Sequence, residues 1–161
     1  MKAERYFKRP VVLAMLLGDV KKKEISVRRV GAKDARLLSE VAIKAYSDHY
    51  LHLWYDSGKW YINKYFTAEA LAAEQNDTNA EFYLAWYGNA PVGFLKLNTD
   101  APLDGEDKNA LELERIYLNK EATGKGIGSE LVRLTIKVAK EKQRINLAKG
   151  YGYQRSLNYF L

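Results

Sequence analysis

An α+β fold, a mixed β-sheet with helices on its faces, is what this sequence predicts. Its patterns run strand, helices, hairpin, strand, long helix, which is neither a regular strand–helix alternation nor an all-β order. Apolar residues make up 47% of the 161-residue chain and charged residues 29%, the balance of a globular protein and not of a disordered one. The length suits one domain with its own core.

Ile25–Val30 alternates apolar and polar residues and predicts the first strand. Gly31–Asp34 ends it, with Asp34 placed to cap a helix. From Ala35 onward, Leu37, Leu38, Val41, Ala42 and Ala45 recur at helical spacing. Residues 46–66 are dense in aromatic rings, among them Tyr46, Tyr50, Trp54, Trp60, Tyr61 and Tyr65. Most of these predict core packing; cation–π contact with an amine is their second use. Thr67 heads a second helix to about Glu74. Glu81–Tyr87 and Pro91–Asn98 flank Gly88-Asn89 and predict a hairpin. Residues 100–109 form an acidic loop, read as solvated, with attraction of a cationic amine as the alternative. Ala110–Leu118 predicts a strand, residues 119–125 a loop, and Gly126–Lys142 a helix with Ile127, Leu131, Leu134 and Val138 on one face. Ile145–Ala148 is a poor strand pattern.

The net charge of +6 is local. Residues 1–29 hold nine Lys/Arg against three Asp/Glu, and the rest of the chain holds 17 of each sign. Residues 1–24 therefore read as a basic extension and residues 25–161 as the domain. No arginine-rich or aromatic pattern accompanies the charge, so a solvated arm is expected and not a nucleic-acid partner. The apolar run Val11–Leu17 is too short to span a bilayer and no small-x-small cleavage site follows it, so no membrane partner is expected. The chain has no cysteine. That excludes disulfides, thiolate metal sites and a cysteinyl acyl intermediate, and it fits a reducing, cytoplasmic setting. His49 and His52 have no partner at ligand spacing, and no metal is predicted.

The chemistry concentrates in Leu111–Val132. Gly124, Gly126 and Gly128 stand at the mouth of the last helix, where unpartnered amides and the helix dipole favour an anion. Glycine lets the backbone approach such a ligand closely, and Lys125 adds a point charge. On the glycines alone, a plain connection between strand and helix stays open. A P-loop is excluded because Ser129 and Glu130 follow Gly128 where Lys and Ser/Thr are needed. A dinucleotide fingerprint wants the strand to run straight into the glycines, and residues 119–123 intervene.

Thr123-Gly-Lys-Gly126-Ile-Gly128 resembles the Gln/Arg-x-x-Gly-x-Gly/Ala signature of the GNAT acetyltransferase superfamily, with Thr123 in the first position. Glu112–Leu118, Phe66–Leu71 and the hairpin Phe82–Leu97 resemble its spermine/spermidine acetyltransferase-type branch. The resemblance covers about residues 25–143. It implies a GNAT-like central mixed sheet, acetyl-CoA as co-substrate, and acetyl transfer to a primary amine by direct attack in a ternary complex. The acceptor implied is a small amine or polyamine, or a peptide amine. The backbone of Ile116, Tyr117 and Leu118 would pair with the pantetheine arm. Thr123, Gly124, Lys125, Gly126, Ile127, Gly128 and Ser129 would hold the pyrophosphate. Thr123 gives up reach and charge, so weaker binding is expected, not loss of it. Glu112 or Glu114 would act as base. They are two apart and expected on the strand face that also carries Ile116 and Leu118. Pairing with surface lysines is their other use.

The tail departs from the family pattern. A further strand, a helix and a hairpin are expected after the last helix, and residues 144–161 are too few for them. Residues 154–160 echo the helix, which makes Tyr159 the candidate acid. The C-terminal strands are thus expected to be missing and one side of the sheet bare. A truncated or altered chain completed by a partner subunit, as in a homodimer, is the expected arrangement, and cover by the basic arm is the alternative. A non-catalytic acyl-CoA-binding or interaction module on the same fold is the alternative function.

Overall fold

The structure, a computed structural model, describes residues 24–101 and 110–148, the last four through their backbone alone. The basic arm up to Lys23, the acidic residues 104–107, Tyr159 and the helix echo at 154–160 lie outside the described residues.

The described strands form one sheet in chain order: β1 (Ile25–Val30), β2 (Ala80–Tyr87), β3 (Ala90–Asn98), β4 (Ala110–Leu118) and β5 (Ile145–Ala148). Neighbours run antiparallel as far as β4, and β4 pairs with β5 in parallel, so the sheet is mixed as predicted. Helices α1 (Ala35–His49), α2 (Lys59–Tyr65) and α3 (Ala68–Gln75) share one core with one sheet face. Helix α4 (Ile127–Glu141) packs on the other.

Local chemistry explains most of these elements. Leu38, Val41, Ala42, Ala45 and Tyr46 form the buried stripe of α1. Thr67 caps α3, its hydroxyl accepting the Ala70 amide at 3.2 Å. Asp34 stands at the N-cap of α1 without capping it; its carboxylate accepts the Gly31 amide at 3.2 Å, one turn back. Helix α2 lies inside the aromatic stretch, where ring density hides its period. Two more corrections concern strands. Residues 145–148 do form β5: α4 returns the chain alongside β4, and four ladder partners there outweigh a weak pattern. The second is a bulge in β4. Lys96 pairs with Arg115 and Leu97 with Leu113, so Glu114 is an extra residue.

The bulge reverses the side-chain alternation. Leu113, Ile116 and Leu118 pack with the α4 core. Glu112 pairs with Asn98, Arg115 with Lys96 and Tyr117 with Phe94, on the face of the α1–α3 core. Beside Leu118 the strands are unusually close. A Cβ on Gly93 would collide with Leu118 Cδ2 and lie 2.6 Å from the Tyr117 carbonyl. Gly93→Ala must push β3 away from β4, and a loss of about 1–3 kcal/mol is expected in urea unfolding. An unchanged midpoint would mean that the two strands have room to separate.

Candidate active site on strand β4

Strand β4 is paired unevenly. Ala110–Leu113 pair with β5, whose described residues end at Ala148. Arg115–Leu118 pair with β3 on their other side. Among the described residues, nothing pairs with the outer edge of Glu114–Leu118. An edge of this kind offers backbone groups to an extended ligand.

The edge leads into the glycine segment. Asn119 Oδ1 accepts the Ala122 amide at 3.2 Å and closes a single 3-10 turn over Lys120–Ala122. Gly124 (φ +73°) and Gly126 (φ +80°) are left-handed, a conformation that disfavours any side chain. A Cβ at either position would meet nothing within 4 Å, so the space above them is open. Gly126 is the N-cap of α4, and the first intrahelical bond runs from the Glu130 amide to the Gly126 carbonyl at 3.1 Å. The amides of Ile127, Gly128 and Ser129 precede that bond, and none has an acceptor among the described residues. The Ile127 side chain is fully buried, so this residue presents only its backbone. Thr123, Lys125 and Ser129 are exposed, and Lys125 Nζ lies 5.4 Å from the Tyr87 ring centroid.

On the other face, charges converge at the bulge. Lys96 Nζ lies 2.6 Å from both Glu74 and Glu114. Arg115 lies 3.1 Å from Glu74 and 3.0 Å from Glu114. Two cations and two carboxylates thus alternate in a closed ring, with both cations about nine-tenths buried. Asn98 Nδ2 donates to Glu112 and Glu114, each at 2.8 Å. The predicted proximity of the two glutamates is therefore present, but not the face they were expected to share with Ile116 and Leu118, because the bulge intervenes. Burial would push the Glu114 carboxyl up; the Lys96 hydrogen bond, the Arg115 charge and the Asn98 amide outweigh it and hold it below the usual range. Glu112 leaves the cluster with one negative charge in excess.

Aromatic rings complete this side. Tyr117 meets Tyr46 and Tyr50 edge-on at 5.7 and 5.4 Å, and Tyr46 stacks on Tyr61 at 4.8 Å. Burial pushes the Tyr117 phenol up, aided by its phenol neighbours. Tyr46 and Phe66 are buried as core, whereas Trp60 is 54% exposed. His49 and His52 join no metal-holding cluster among the described residues. No described helix is long and apolar enough to cross a membrane.

The sequence pattern of the acetyltransferase (GNAT) family matches residues 39–161. The chain belongs to the GNAT acetyltransferase family. Over 85 residues this GNAT chain is 33% identical to an uncharacterized N-acetyltransferase in the pepI 3' region of Lactobacillus delbrueckii subsp. lactis. That match covers 52% of the chain and 47% of the relative, so the chain spans about half the length of this curated protein. Among solved structures, it resembles the PaiA N-acetyltransferase of Thermoplasma acidophilum in complex with coenzyme A, with a TM-score of 0.65, 26% identity and 78% of each chain covered. The ribosomal-protein-alanine N-acetyltransferase of Brucella melitensis biovar Abortus 2308 shares the GNAT fold, with a TM-score of 0.59, 18% identity and 80% and 81% of the two chains covered.

Sequence reasoning missed Glu74, Lys96, Asn98 and Arg115. One signal was available: Glu114-Arg115 breaks the alternation of Leu111–Leu113 with two adjacent charges, as a bulge requires. Removing one ring member strands a buried charge. Glu74→Ala is expected to lose about 3 kcal/mol in urea denaturation, and a loss under about 1 kcal/mol would mean that water already screens the ring.

Proposed function

We propose that this chain transfers the acetyl group of acetyl-CoA to a primary amine in a ternary complex. The observation that carries the proposal is the open edge of β4 followed, after the single turn at Lys120–Ala122, by open backbone at Gly124 and Gly126 at the start of α4. These residues fit the ligand. Glu114–Leu118 offer an extended edge to a pantetheine amide chain, while the Gly124–Ser129 segment offers the Ile127, Gly128 and Ser129 amides at a helix N-terminus to a pyrophosphate. When bound, acetyl-CoA supplies the acyl group as an activated thioester.

The protein supplies orientation and proton management. An alkyl ammonium with a pKa near ~10 has no lone pair, so it must lose a proton before it can attack. Glu112 is the proposed base. Its carboxylate takes one amide hydrogen bond from Asn98, whereas Glu114 is engaged by Lys96, Arg115 and Asn98 together. Glu114 is better suited to hold the bulge. The excess negative charge and the neighbouring tyrosines suit a cationic acceptor. A small amine or polyamine is the acceptor class proposed, and the likeness to a GNAT structure that holds coenzyme A supports the cofactor half of the reading. Tyr159, outside the described residues, is the proposed acid.

A panel of amines with acetyl-CoA should release free CoA. Tight CoA binding without turnover on any amine would favour the non-catalytic module instead. Glu112→Gln should lower kcat/KM by about 10²- to 10⁴-fold with CoA affinity intact; equal turnover by that variant would assign the base elsewhere. Gly126→Asp places a carboxylate in the cradle and a Cβ on a left-handed residue. Its CoA affinity by calorimetric titration should fall at least about tenfold, and an unchanged value would remove the cradle assignment.

A further inference from the structure

Asp48 lies in the last turn of α1, in the helical layer that carries Tyr46 and Tyr50, and its side chain is 13% exposed. Its Oδ2 accepts the backbone amide of Lys120 at 2.9 Å, across 72 residues of sequence. Lys44 Nζ lies 3.2 Å from the same oxygen and 3.2 Å from Glu121. The Lys120 amide above all, against burial and with help from Lys44, holds the Asp48 carboxyl below its ordinary range.

The segment so anchored is the step between the β4 edge and the glycine cradle. The Asn119 amide donates to the Val92 carbonyl on β3 at 2.9 Å. Asn119 also caps the turn through Ala122, and the Thr123 amide closes on the Lys120 carbonyl at 3.2 Å. Residues 119–123 are therefore held by β3, by their own cap and by Asp48. Beyond them, Gly124 and Gly126 have no side chains with which to hold themselves. The turn anchors the segment on its N-terminal side, the Lys125 amide bonding back to the Ala122 carbonyl at 3.3 Å, as the buried Ile127 does on the helix side.

We propose that Asp48 is a positioning residue for coenzyme A, fixing the Asn119–Thr123 turn so that the Gly124–Ser129 cradle is preset against the β4 edge. The inference rests on the acetyl-CoA reading above. A hydrogen bond to a carboxylate is stronger than a neutral one. Without it, ordering of the turn is deferred to the moment of binding, where it subtracts from affinity. Once the ligand is seated, the reacting groups are unaffected, so the loss appears in KM and not in kcat.

Calorimetric titration with CoA, on the full chain, tests this with paired variants. Asp48→Ala should weaken binding about tenfold, the size of one charge-assisted hydrogen bond. Asp48→Asn keeps an oxygen acceptor and should stay within about threefold of the parent. Lys120→Pro removes the donor instead. The position opens a 3-10 turn after an extended Asn119 (φ −74°, ψ 168°), a geometry that proline accepts, so this variant keeps the proposal testable if Asp48→Ala does not fold. It should match the loss seen with alanine at 48, while Lys120→Ala, which keeps the amide, should bind within about threefold of the parent. Acetyl-CoA KM should follow the same order, with kcat constant. Parent-like binding by Asp48→Ala or Lys120→Pro overturns the proposal, as does a fall in melting temperature and kcat at unchanged CoA affinity. If the parent protein itself does not bind CoA, the acetyl-CoA reading fails first.

Discussion

Four charges closing on one another, two buried cations and two partly buried carboxylates, hold the centre of this molecule. Lys96 and Arg115 come from adjacent strands, Glu114 from the bulge and Glu74 from α3. Taken singly, each would cost several kcal/mol to bury; together they neutralise and hydrogen-bond one another. The ring secures an extra residue in β4 that a regular ladder would expel, and it ties α3 to the sheet at that point. The bulge in turn decides which way every later side chain of β4 points. Ile116 and Leu118 seal the α4 core, and Tyr117 turns toward α1.

The strand therefore has two unlike faces and one free edge. Its charged and aromatic face belongs to the layer of α1 to α3, its apolar face to α4, and the edge between them leads to the helix mouth. An enzyme that joins two substrates needs them to meet at one place from different directions. A strand with carboxylates on one face and an unpaired edge provides such a place, and the proposed acyl transfer uses both. In the proposed reaction Glu112, at the rim of the ring, is where proton transfer and amine recognition would coincide.

The sequence disclosed much of this and hid a definite part. The alternation of Ile25–Val30, the Gly88-Asn89 hairpin and the stripe of α4 were legible because each depends on neighbours in the chain. The glycine-opened start of α4 was legible for the same reason: a helix start is a local event. Strand β5 was not, since Ile145–Ala148 becomes a strand by virtue of a partner more than thirty positions earlier in the register. Nor were the partners of Glu114, which lie on α3 and β3. The bulge misled the reading of faces, because alternation holds only while the count of residues matches across the ladder. Adjacent charges at 114 and 115 were its visible trace.

The proposed cradle at the start of α4 is made of amides, and amides do not titrate. Lys125 apart, such a cradle would present the same positive field from mildly acid to strongly alkaline solution. The amine that must attack becomes more reactive as protons are withdrawn. The two proposed substrates would thus answer to different variables, the anion to geometry and the amine to proton activity. Raising pH could then speed one half of the encounter without loosening the other, a separation that a cradle built from histidines could not offer.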